Sequence, residues 1–63
     1  MKTVTLSAVL NPEDNGYVSL CYELDIASQG DTIDEALANL KEALEGFFET
    51  ASAEEVRTRL KRL

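Results

Sequence analysis

Apolar and polar residues alternate from Thr3 to Leu10, with Val4, Leu6, Ala8 and Leu10 on one face and Thr3, Thr5 and Ser7 on the other. A period of two predicts a half-buried strand. Val9 interrupts the polar face near the strand's end. The run Asn11-Pro12-Glu13-Asp14-Asn15-Gly16 then gathers turn formers: Pro12 should end the ladder, and Asn15-Gly16 suits positive φ, so a hairpin is expected. Alternation resumes from Tyr17 to Leu24. There Val18, Leu20, Tyr22 and Leu24 make the more apolar face, expected to point to the core, against Tyr17, Ser19, Cys21 and Glu23 outside. A bend around Glu23 to Asp25 leaves Ile26 to Gln29 as a short third strand.

The period then changes to that of a helix. Thr32-Ile33-Asp34-Glu35 has the capping-box spacing, with Asp31, Asp34 and Glu35 near the positive end of the helix dipole. Ile33, Ala36, Leu37, Leu40, Leu44, Phe47, Phe48 and Ala51 follow at spacings of three and four, forming one apolar stripe expected to lie on the sheet. Asp34, Lys41, Glu42, Glu45 and Glu49 occupy the face turned to water. Gly46 is a weak point in this helix and a candidate for a close approach. Ser52-Ala53-Glu54-Glu55 is a second capping box, opening a short helix with Val56, Leu60 and Leu63 on one side. The expected fold is α+β: a three-stranded antiparallel sheet in β-β-β-α-α order with one long amphipathic helix on one face. Residues 1–63 form one domain, with the sheet and main helix in 1–51 and the short helix in 52–63.

Composition narrows the chemistry. Sixty-three residues support a single thin core, since seven of the apolar residues are alanine. The one cysteine, Cys21, excludes an intramolecular disulfide and suits a reducing cytoplasm. There is no histidine, which removes the commonest general base and zinc ligand and the usual partner of a serine or cysteine nucleophile. The paired carboxylates fall on helix surfaces or first turns and none lies on the first strand, so a metal-dependent nuclease is disfavoured. Gly30 before the main helix is flanked by Asp31 and Asp34, which would repel a phosphate. The reading is of a protein that is not an enzyme and uses no cofactor or metal. No apolar run is long enough for a membrane span, and the N-terminus lacks the layout of a signal peptide.

Charge bears on partners. The net charge is −6, with all twelve acids before residue 57 and four bases, Arg57, Arg59, Lys61 and Arg62, after residue 56. The acidic part should repel nucleic acid. The basic end reads either as a short nucleic-acid arm or as cations complementing a helix C-terminus. A small core, strand edges and an outer sheet face bearing Tyr17, Val9 and Cys21 suggest a homo-oligomer, a dimer or tetramer. Tyr17 is either ordinary surface or a contact residue. The acidic helix face with Glu42, Glu45 and Glu49 is a candidate surface for a basic partner.

The stretch Gly16-Tyr17-Val18-Ser19-Leu20-Cys21-Tyr22-Glu23-Leu24, then Ser28-Gln29-Gly30-Asp31-Thr32, Glu35-Ala36 and Asn39-Leu40-Lys41-Glu42-Ala43, resembles the HicB-like antitoxin family. The resemblance spans roughly residues 2 to 51 and is most specific from Ser28 to Ala43. It implies a partial RNase H-like fold without nuclease function, which masks a small basic messenger-RNA-cleaving toxin of the HicA type. Many members have Pro-Gly where this chain has Asp25-Ile26. Fuller members continue into a fourth strand and a DNA-binding domain, and with Leu63 the last residue here, no DNA binding is expected. The alternative is a self-associating structural or ligand-responsive domain without a toxin partner.

Overall fold

A computed structural model of the protein describes residues 5–60. Thr3 and Val4 of the expected first strand, and Lys61, Arg62 and Leu63 of the expected last helix, lie outside the described residues. The chain forms three strands, β1 (Val9–Glu13), β2 (Gly16–Cys21) and β3 (Ile26–Gly30), and two helices, α1 (Ile33–Thr50) and α2 (Ala53–Leu60). The strands make one antiparallel sheet in the order β1-β2-β3. This is the α+β arrangement that the periodicity predicts.

The first strand lies further along the chain than the alternation suggests. Residues 5–8 carry no ladder, and Asn11, Pro12 and Glu13 are in β1, paired with Val18, Tyr17 and Gly16. Only Asp14 and Asn15 turn the chain. In a two-residue hairpin the closing pair, here Glu13 and Gly16, shares the hydrogen bonds, so the Pro12–Tyr17 pair is the non-bonded one. The nitrogen of Pro12 therefore faces the free edge, where its missing N–H takes nothing from the ladder and blunts the edge against further pairing. Among the described residues no glycine takes positive φ; the left-handed position is Asp25, at φ 55°, closing the four-residue turn between β2 and β3.

The faces of β2 are the reverse of those expected. Ser19 and Cys21 are fully buried on the side facing α1, whereas Tyr22 has left the strand and is 61% exposed. The reason is how closely α1 approaches. Its first turns rest on β3 and β2, and a Cβ placed on Gly30 would lie 2.5 Å from the Ala36 nitrogen. Directly beneath lie small side chains: Gly30 and Ser28 on β3, with Ser19 paired to Ser28 on β2. The larger Val18 and Leu20 are displaced to the other face, where Leu20 pairs with Val9. Leu24 is buried from the turn rather than from a strand, and joins Cys21 and Leu40 in the core, with Leu6, Ile26, Leu44, Phe47 and Leu60 packed around them. Gly46, read above as a close approach, has nothing within 4 Å of a Cβ built on it.

Two glycines should therefore respond oppositely to the same substitution. Gly46→Ala is expected to raise stability by about 0.5–1 kcal/mol, the helix-interior preference for alanine. Gly30→Ala should lower it by about 1–3 kcal/mol, as overpacking does, and more if α1 cannot shift. Chemical denaturation of both variants measures the two signs. The same experiment separates the aromatic and aliphatic parts of the stripe. Leu40→Ala should cost about 2–5 kcal/mol, while Phe48→Ala, at a ring 46% exposed, should cost about 1 kcal/mol, the worth of its edge-to-face contact with Phe47.

Candidate functional site

The start of α1 is built as its sequence demands. The Glu35 N–H donates to the Thr32 hydroxyl over 3.1 Å, and the Glu35 carboxylate accepts from the Asp31 N–H at 3.1 Å. The reciprocal bond of a capping box thus reaches one residue further back than usual. Behind this cap, Ser19 donates its hydroxyl to the Ala36 carbonyl over 2.8 Å, and Asn39 donates its amide to the Gln29 carbonyl over 2.7 Å. These two bonds set the rotation of α1 about its own axis. The second helix begins at the other predicted cap, where Ser52 accepts from the Glu55 N–H at 3.1 Å.

That rotation decides what α1 shows to its surroundings. Ala36 and Leu40 point into the sheet. Asn39 marks the flank toward β3, and on the opposite flank stand Ile33, Leu37, Leu44 and Phe48, spanning about 60° of arc at 100° per residue. Leu44 packs on the core, but Ile33, Leu37 and Phe48 are 44%, 37% and 46% exposed. The stripe expected to be wholly core is therefore split lengthwise into a buried half and an exposed half. Lys41, Asp34, Glu45 and Glu49 follow on the solvent side of the exposed half. Periodicity alone misses this row, because a stripe wider than the sheet contact has the same pattern as one that fits it.

The other candidate residues are not brought together. Val9 is half-buried on the sheet face away from α1, as an outer-face residue should be. Cys21 is no surface residue: it is fully buried against Leu24 and Leu40, and its thiol donates to a Glu23 carboxylate oxygen at 3.6 Å. Tyr17 lies on the helix side of the sheet, half-buried, in the wall of an open hollow of about 380 Å³ whose lining includes Asp14, Gly16, Gly30, Asp31 and Glu35. Tyr17, Val9 and Cys21 thus do not share a surface. Glu42, Glu45 and Glu49 are all exposed on the solvent face of α1. Among the described residues no three Cys, Asp or Glu side chains form a group able to hold a metal ion, and no helix is long and apolar enough to cross a membrane.

The turn of residues 22–25 holds both ends of the described chain. Ser7 donates its N–H to one Glu23 carboxylate oxygen at 2.8 Å and its hydroxyl to the other at 2.7 Å. From the other end, Arg59 donates to the Leu24 carbonyl at 2.6 Å while its guanidinium lies 4.7 Å from the centre of the Phe47 ring. No protein-family model, curated protein or solved structure matches this chain.

Glu23 makes the clasp sensitive to acid. The Ser7 N–H first, then its hydroxyl, favours the charged carboxylate and lowers its pKa from 4.5 to about 2. Because the folded-state pKa is depressed, the clasp's contribution is fully present above about pH 4.5 and is lost as pH falls toward about 2. Glu23→Gln should therefore lower the thermal midpoint at pH 6 and leave a smaller difference from the natural protein at pH 2, as followed by circular dichroism.

Proposed function

We propose that this chain is a non-enzymatic protein-binding module of the HicB-like antitoxin kind, which masks a small basic HicA-type toxin that cleaves messenger RNA. The sheet and α1 act in this reading as a partial RNase H-like unit without nuclease function, in a cytoplasmic protein that does not bind DNA. The observation that carries it is the exposed apolar row of Ile33, Leu37 and Phe48 on a helix whose solvent face is acidic. Apolar anchors within a charged border suit the recognition of a protein better than that of a small molecule. The resemblance of residues 28–43 to the HicB-like family names the partner class, and the charge of −6 favours a cationic one. A second reading, self-association without a toxin, is favoured by the sheet face carrying Val9, Val18 and Leu20, over which no described helix packs.

Co-expression with a HicA-type toxin encoded beside this gene tests the first reading. Growth should be rescued and the two proteins should co-purify. Reversing the charges of Glu42, Glu45 and Glu49 together should slow association on the order of tenfold at low salt, with little change in dissociation. A folded protein that neither rescues growth nor binds the toxin would leave self-association as the reading.

A further inference from the structure

The exposed half of the α1 stripe has a defined shape and border. Ile33, Leu37 and Phe48, with the half-buried Leu44 between the last two, run for on the order of 22 Å along the axis at 1.5 Å per residue, the length of four helical turns. They lie on the flank turned away from β3, so the row borders the β1 side of the sheet, where Leu10 belongs to the surface facing α1. A straight apolar row of this length on one helix is matched by the apolar face of a second helix laid along it. On its outer side the row is bordered first by Lys41 and then by Asp34 and Glu45, with Glu49 further round on the solvent face.

We infer that the exposed row of Ile33, Leu37 and Phe48 is the docking surface for a cationic amphipathic helix of the partner, its apolar residues on the row and its lysines or arginines facing Asp34 and Glu45. This rests on the protein-binding reading above and gives it a location and an orientation. The border selects the occupant. A second copy of this chain meeting the row face to face would oppose Asp34 and Glu45 with its own carboxylates, between molecules that each carry −6. A cationic helix meets the apolar row and neutralises its border together.

Two synthetic helical peptides with identical leucine spacing, one with lysine and one with glutamate at the polar positions, provide the probe. Titrated into isotope-labelled protein, the lysine peptide should bind roughly tenfold or more tightly than the glutamate peptide, with amide shifts concentrated between Ile33 and Glu49. Leu37→Lys with Phe48→Lys should reduce that affinity roughly tenfold. Glu45→Lys with Glu49→Lys, which alters only exposed side chains, should do the same and serves if the first pair does not fold. Equal binding of the two peptides, shifts centred on Val9, Val18 and Leu20, or unchanged affinity in the folded variants would overturn the assignment. So would light scattering that finds a dimer in the natural protein and a monomer in Leu37→Lys. Toxin rescue separates the two levels of inference. Rescue that survives in both variant pairs removes the docking surface and keeps the antitoxin reading. Failed rescue with intact lysine-peptide binding at the row does the reverse.

Discussion

The architecture depends on how closely α1 sits on the sheet at Ala36. A helix and a sheet approach to the distance their contact residues permit, and here those residues are Gly30, Ser28, Ser19 and Ala36. The Ser19 hydroxyl is buried at this contact and would be costly there without a partner; the Ala36 carbonyl accepts its hydrogen bond at 2.8 Å. This bond satisfies the fully buried hydroxyl of the interface and holds the helix against it. Larger side chains do not fit directly beneath Ala36, so Val18 and Leu20 lie on the far face, and the core is completed further along the helix, toward its other end, by Leu24, Leu40 and Cys21.

That end is organised by the turn between β2 and β3. It presents a carboxylate to the segment before β1 and a backbone carbonyl to α2, so the first and last parts of the described chain converge on four consecutive residues. The two attachments differ physically. Glu23 holds Ser7 through a charge that acid removes, whereas Arg59 holds a backbone carbonyl and adds a cation–π contact with Phe47. Loss of the clasp in acid should therefore begin on the N-terminal side.

The close seating of α1 also explains why its surface is a candidate for recognition. The rotation that buries Ala36 and Leu40, held by Ser19 on one strand and Asn39 against the next, leaves Ile33, Leu37 and Phe48 clear of the sheet. Large apolar side chains exposed together on one helix mark a candidate contact surface. In the proposed reading the acids beside them favour a cationic partner.

The sequence by itself determined the element order, both helix starts and the burial of Leu40. Those signals are local: a cap involves groups three or four residues apart, and a helical stripe is written within the element that bears it. Thr32 with Glu35 and Ser52 with Glu55 were accordingly legible before any contact was known. The tertiary structure alone decided which face of β2 is inside, that Pro12 lies within a strand, that Leu24 fills the core from a turn, and that half of the α1 stripe stays exposed. Alternation with a period of two divides a strand into two faces without saying which one a helix will cover. Here that choice was made by side-chain volume at a contact between residues distant in sequence, where serine and glycine fit beneath Ala36 and valine and leucine do not.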